Sequence, residues 1–259
     1  PDGSLTESLA ESYAISEDQK TIEFTLRDGV KWQDGEDLTV DDVVFTIETV
    51  ALTSDDYSKV ARIEGAADVR DGKAEHMSGI TTDGNKITIQ LTEVDATFLN
   101  KIGGRSIIPK HIWGEIPFAE WEKKTELLNN PVGSGPYKFV EWKQGDSVKL
   151  EAFDDYYAGA PATKYLQMKV IPEAAQRTIA LETGEIDLAY DIIANDKDKV
   201  ADNADLQLLE APSLSCYYVT MNMNQKPFDD IRVREAINLA IDRQLLVDTI
   251  INGAGQAAD

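Results

Sequence analysis

A run of turn-forming residues, Asn129–Pro136, divides the chain and limits what can form on either side of it. The run contains two asparagines, two prolines and two glycines within eight residues. Glycine and asparagine favour turns, and proline interrupts helices and central strands. No helix or strand is therefore expected to pass through this run, and we predict that the chain crosses there from one lobe to another.

Before the crossing, two segments alternate apolar and polar residues, which is typical of strands with one buried face. These are Thr21–Leu26 and Lys86–Leu91. Between them, Thr39 is followed three residues later by Asp42, an acidic variant of the capping box. This pattern predicts a helix from Val40 to about Leu52. Residues 97–128 are interrupted by glycines and prolines, which predicts short helices.

After the crossing, strand and helix patterns follow one another, which indicates a mixed α/β fold with an α/β layer after residue 160. The predicted strands are 137–142, 147–153, 165–171, 186–190, 206–209 and 216–223. The predicted helices are 174–183, 197–204 and 229–251. Asp242 can cap a second helix within the last of these, so a break is expected there.

The formal net charge of −22 bears on partners. Nucleic acids and anionic membranes are polyanions, so the charge argues against non-specific binding to either. No apolar stretch approaches the eighteen or so residues of a membrane span. The single cysteine, Cys216, excludes an internal disulfide.

Residues with catalytic or metal-binding chemistry are scarce. The two histidines, His76 and His111, have no histidine or cysteine near them in the sequence, whereas a metal site needs several spaced ligands. Neither a Walker loop nor a Gly-x-Ser-x-Gly elbow is present. Cys216 lies in an alternating apolar segment, which predicts a buried structural thiol. We therefore predict no catalytic residue, no metal, no cofactor and no enzymatic activity.

The most informative polar and aromatic residues lie between 216 and 224. On a strand, the adjacent Tyr217 and Tyr218 point to opposite faces, so one should enter the core and the other face the rim. A rim tyrosine offers a flat apolar ring and a hydroxyl to a small polar ligand. Asn222 and Asn224 lie on one side of the strand's end. The alternative is that both tyrosines only pack and both asparagines only form a turn.

Longer motifs make a family resemblance specific. They run in order along the chain: 9–13 (LAESY), 24–35 (FTLRDGVKWQDG), 38–43 (LTVDDV), 133–137 (GSGPY), 218–222, 226–238 (KPFDDIRVREAIN) and 240–243 (AIDR). This series resembles the family 5 solute-binding proteins, the dipeptide-, oligopeptide- and nickel-binding components of ABC importers. Gln225 departs from the lysine that many members carry.

The resemblance implies a periplasmic-binding-protein-like type II fold, in which two lobes close on a ligand and an extra subdomain is attached. Residues 1–131 resemble the extra subdomain and residues 132–259 part of the first lobe. The second lobe is expected to be absent from this sequence, together with the acidic residue that anchors a peptide's amino terminus in peptide-binding members.

The function implied is capture of di- or oligopeptides outside the cytoplasmic membrane, in the periplasm or from a lipid anchor, and delivery to the permease subunits. The protein is expected to act as a monomer and not to bind nucleic acid. The expected ligand contact is Tyr218, with Tyr217, Asn222 and Asn224 behind it. The alternatives are a nickel chelate or an oligosaccharide as solute, and, on the same fold, an enzyme or an adhesin.

Overall fold

The computed structural model describes residues 5–211, 215–253 and 255–258, and it divides into two compact units. One unit is Ser4–Val170, here called the N-terminal unit, and the other is formed by Ile171–Asp259, the C-terminal unit. The predicted boundary between 131 and 132 concerns the family's domains rather than compact units, and it stays a prediction.

A four-stranded antiparallel sheet organises the first half of the N-terminal unit. Its order is β1-β2-β4-β3, with β1 at Ala10–Ile15, β2 at Thr21–Leu26, β3 at Ile80–Asp83 and β4 at Lys86–Gln90. The predicted strands β2 and β4 are confirmed, and Ile22 lies directly opposite Ile89. Both side chains are buried, as the alternating pattern requires.

One face of this sheet is covered by helix α1, Val40–Ala51. The predicted capping box is present, because the Thr39 hydroxyl accepts the Asp41 N–H while the Asp42 carboxylate accepts the Thr39 N–H. Ile47 and Val50 of α1 join the sheet's buried residues in one hydrophobic core. The cap fixes where the helix begins, and the apolar face fixes how it lies on the sheet.

Short helices complete this half of the unit. They are α2 at Ala66–Arg70, α3 at Phe98–Gly103, α4 at Lys110–Trp113 and α5 at Thr125–Asn129, with 3-10 turns at Tyr57–Lys59 and Phe118–Lys123. The prediction of short helices in residues 97–128 is confirmed. They are short because Gly104, Pro109 and Pro117 lie at their ends.

A second antiparallel sheet follows the turn-forming run within the same unit. Its order is β5-β6-β7, with β5 at Tyr137–Lys143, β6 at Ser147–Ala152 and β7 at Tyr165–Lys169. These strands confirm the predicted hairpin and the predicted strand after it. Gly145 has φ +76°, which the tight turn between β5 and β6 requires and which glycine adopts without steric strain.

The described part of the C-terminal unit is helical, with α6 at Ala174–Glu182, α7 at Lys197–Ala201, α8 at Ile231–Ala240 and α9 at Arg243–Ile250, and a 3-10 turn at Ala194–Asp196. The predicted break within 229–251 is confirmed, since the Asp242 side chain caps α9 by accepting the Leu245 N–H.

The strands predicted at 186–190, 206–209 and 216–223 are wrong, and so is the α/β layer after residue 160. These segments have no regular secondary structure where the structure describes them. A strand is stable only when its N–H and C=O groups pair with a neighbour, and alternation alone does not supply that neighbour. Among the described residues of this unit only Thr178, Ala180 and Val200 are buried.

Candidate functional site

The segment that carries the predicted ligand contacts leads into α8 through a loop at residues 225–230. Tyr217 is 96% exposed and Tyr218 81% exposed. The prediction that one of them enters the core is therefore wrong, as is the burial predicted for the exposed Cys216. Both errors have one cause, because without a paired strand the segment has no inner face.

The two asparagines lie in a turn that ends this segment. The Asn222 Oδ1 accepts the Asn224 N–H at 3.0 Å, and the Asn222 carbonyl accepts the Gln225 N–H at 3.0 Å. This is an Asx-type turn, in which the side chain replaces a backbone acceptor. The alternative interpretation of Asn222 as a turn former is thus realised, while its contact with a ligand stays a prediction.

The start of α8 fixes the far end of the segment. Asp230 caps the helix by accepting the Arg232 N–H at 2.9 Å, and hydrogen bonds from the Arg232 guanidinium and this N–H hold the pKa of the Asp230 carboxyl below its ordinary value. Arg234 reaches back and donates to the Phe228 carbonyl at 2.7 Å. The loop between the asparagine turn and α8 is therefore tied to the helix.

Large apolar side chains elsewhere in the C-terminal unit are exposed as well. Tyr190, Leu209 and Leu239 are 78%, 79% and 85% exposed. Burying a side chain of this size stabilises a fold by roughly 1.5–3 kcal/mol, so such exposure in one unit marks surface suited to covering by other protein surface.

In the N-terminal unit, Gln33 holds the turn-forming run in place. Its Nε2 donates to the carbonyls of Gly135 at 3.0 Å and Tyr137 at 2.8 Å, and its Oε1 accepts the Gly133 N–H at 3.1 Å. The backbones of Gln33 and Gly133 are also hydrogen-bonded. One amide side chain thus satisfies two backbone groups of the crossing and one of the first residue of β5, and no local sequence signal pointed to it.

Each of the two histidines contacts one carboxylate. His76 Nδ1 lies 3.1 Å from Glu48, and His111 Nε2 lies 2.8 Å from Asp34. Glu48 also accepts the Met77 N–H and, with His76, lines a groove of about 390 Å³. Within residues 5–211, 215–253 and 255–258, no three His, Cys, Asp or Glu side chains are grouped so as to hold a metal ion.

In the same described ranges, no helix combines the length and the apolar character needed to cross a membrane.

Comparison with known proteins identifies the family of this chain. Residues 4–259 match the family model described as "Bacterial extracellular solute-binding proteins, family 5 Middle". The chain belongs to this family. The resemblance inferred from the ordered motifs is confirmed, and so is the mixed α/β fold of family 5 solute-binding proteins.

Two curated family 5 relatives illustrate the similarity. The chain is 34% identical over 253 residues to the oligopeptide-binding protein AppA of Bacillus subtilis, covering 97% of the chain and 44% of AppA. It is 30% identical over 261 residues to the dipeptide-binding protein of Escherichia coli, covering 96% of the chain and 48% of that protein. The chain therefore spans about half the length of these relatives.

Two solved structures have the same fold. AppA of B. subtilis in complex with a nonapeptide matches with a TM-score of 0.79 at 33% identity, covering 97% of this chain and 48% of AppA. NikZ of Campylobacter jejuni in complex with Ni(L-His) matches with a TM-score of 0.78 at 25% identity, covering 96% of this chain and 48% of NikZ. The two curated relatives are named for the oligopeptide and the dipeptide that they bind.

Proposed function

We propose that this chain is part of the substrate-binding component of an ABC importer, which captures di- or oligopeptides outside the cytoplasmic membrane and delivers them to the permease. The observation that carries the proposal is the similarity to AppA along 97% of the chain, since AppA's solved structure contains a nonapeptide. The proposal includes a periplasmic or lipid-anchored location, a monomer, and no enzymatic activity.

Within this function, Tyr218 is the proposed ligand contact, supported by Tyr217, Asn222 and Asn224. Three features support this contact: the exposure of the two tyrosines, the fixed end of their segment, and the chemistry of the tyrosine side chain. The two tyrosines present rings and hydroxyls to solvent, and the asparagine turn and α8 fix the end of the segment. Peptides are commonly held through their backbone polar groups, and tyrosine combines apolar area with a hydrogen-bonding tip.

The first experiment identifies the ligand. The protein as encoded in full is purified without refolding, and native mass spectrometry reads the mass of whatever it retains. A ladder of peptide masses supports the proposal. A single sugar or a single metal chelate contradicts peptide as the solute.

The second experiment tests the site. In the full protein, Tyr218→Ala should weaken the affinity for the retained peptide about tenfold, which is about 1.4 kcal/mol. The melting temperature should stay nearly unchanged, because the side chain is 81% exposed. Tyr190→Ala, at a comparably exposed tyrosine of the same unit, is the matched control and should bind normally. Lost stability with intact affinity would contradict the assignment.

The chain of 259 residues by itself should bind the same peptide much more weakly than the full protein. The relatives are about twice as long, and their ligands are enclosed by the whole protein under this proposal. Isothermal titration calorimetry measures both affinities. Micromolar binding by the 259-residue chain would show that the site is complete within it.

A nickel chelate is the second candidate solute, because NikZ with bound Ni(L-His) has the same fold. A small-molecule chelate supplies metal ligands of its own, so it requires few from the protein. Metal analysis of the purified full protein separates this candidate from peptide binding.

A further inference from the structure

An apolar cleft of about 580 Å³ opens into the core of the N-terminal unit. Its walls include half-buried apolar side chains from β1 and the residue before it, and from β2, α1 and α3, that pack on the buried core: Leu9, Ala10, Phe24, Val43, Leu99 and Ile102. Protein interiors are close-packed, with few voids larger than a water molecule. The cleft instead leaves apolar side chains that contact the core open to solvent.

The size and the walls fit a small molecule. Ligand pockets are commonly 300–1,000 Å³ and mostly apolar. Apolar cavities hold water poorly and take apolar guests, because water inside them finds too few hydrogen-bonding partners. A guest in this cleft would restore the van der Waals contacts that the wall side chains lack.

The two charged side chains of the cleft lining, Arg105 and Glu7, restrict the ligand's charge. The Arg105 guanidinium lies 2.6 Å from the Asp56 carboxylate, and the Tyr157 hydroxyl lies 2.9 Å from the Ser8 hydroxyl. The exposed Glu7 adds a negative charge to the lining. Glu7 would therefore repel an anionic ligand. The Arg105 guanidinium is already paired with a carboxylate and so offers such a ligand little compensation.

We propose that this cleft binds a neutral apolar small molecule, aliphatic or aromatic, with at most one hydrogen-bonding group near Tyr157 and Ser8. The site lies wholly in the N-terminal unit and is separate from the contacts proposed around Tyr218. It does not depend on which solute the importer carries.

The experiment uses the neutral fluorophore N-phenyl-1-naphthylamine, whose emission rises in apolar surroundings. The 259-residue chain should bind it with one-to-one stoichiometry, and the melting temperature should rise with its concentration. Ala10→Leu and Val43→Phe each add volume to the walls and should weaken the affinity about tenfold or more. Ala14→Leu, on the exposed part of the same strand, is the matched control and should bind like the unmodified chain.

Two further arms decide the location and the charge. Leu239→Ser removes an exposed apolar side chain in the C-terminal unit and should leave binding unchanged. If this variant loses the signal while the folded Ala10→Leu and Val43→Phe variants keep it, the fluorophore binds the outer surface and the proposal is wrong. Displacement by 1-decanol should be at least about tenfold more effective than displacement by decanoate. Equal displacement, or no saturable binding, would also overturn the proposal.

Discussion

Replacing Asp42 should destabilise the N-terminal unit more than replacing any nearby exposed acid. The side chain is 4% exposed. Its Oδ2 accepts the Thr39 N–H at 2.9 Å, and its Oδ1 accepts the Lys110 N–H at 2.8 Å. The Trp32 indole N–H lies farther from Oδ2, at 3.4 Å. One carboxylate thus holds the start of α1 to the start of α4.

The magnitude follows from the two short hydrogen bonds. A hydrogen bond to a charged group is worth roughly 1.5–3 kcal/mol, so Asp42→Ala, which removes two such bonds, should lower the free energy of unfolding by about 3–5 kcal/mol. Asp42→Asn keeps one acceptor oxygen, but its amide N–H groups then face one of the two backbone N–H donors. The free energy of unfolding should therefore fall by about 2 kcal/mol. Asp41→Asn, at a side chain 67% exposed and 3.7 Å from the Lys110 amine, should cost less than about 1 kcal/mol.

Urea unfolding followed by tryptophan fluorescence reports on the N-terminal unit, because all four tryptophans lie at residues 32 to 142 within it. The expected order of loss is Asp42→Ala, then Asp42→Asn, then Asp41→Asn. An Asp42→Ala midpoint shift equivalent to less than about 1 kcal/mol would refute the reasoning, since the loss of two hydrogen bonds to a buried carboxylate should cost more than that.

Two other predictions concern the same unit. Burial raises the pKa of Asp95, but hydrogen bonds from Lys101 and a threonine outweigh this and lower the pKa from 3.8 to about 2. The carboxylate therefore stabilises the folded state by about 2 kcal/mol above pH 4 and loses this contribution as the pH falls toward 2. The stability difference between the unmodified chain and Asp95→Asn should shrink over that window in urea titrations, and a constant difference would contradict the assignment. Gln33→Ala should speed hydrogen exchange at the Gly133 amide about tenfold or more, because that N–H loses its side-chain acceptor. Gln144→Ala, at an exposed turn position, should leave exchange at Gly133 unchanged, and equal rates in both variants would exclude the role of Gln33.

Local patterns predicted the elements whose stabilising contacts are close in sequence. The Thr39–Asp42 box marked where α1 begins, and Asp242 marked the break between α8 and α9. Both signals depend on a side chain bonding to the backbone two or three residues away, so a short stretch of sequence contains all of the information.

Strand predictions succeeded or failed according to the presence of a partner. β2 and β4 alternate and pair with each other, so their pattern matched the structure. The segment at 216–223 has an alternating apolar pattern too, but no strand pairs with it among the described residues. The strand β1 was missed, because its burial is partial and its place depends on pairing with β2.

By itself the sequence determined the family, through ordered motifs from Leu9 to Arg243, and the elements that local capping and pairing support. Only the tertiary structure decided which distant groups meet. Asp42 binds the backbone of a residue 68 positions away, and Gln33 binds a run about 100 positions away. The apolar cleft likewise forms between segments that no local pattern relates. Such contacts depend on how helices and strands pack, and packing is a property of the folded chain rather than of any window of its sequence.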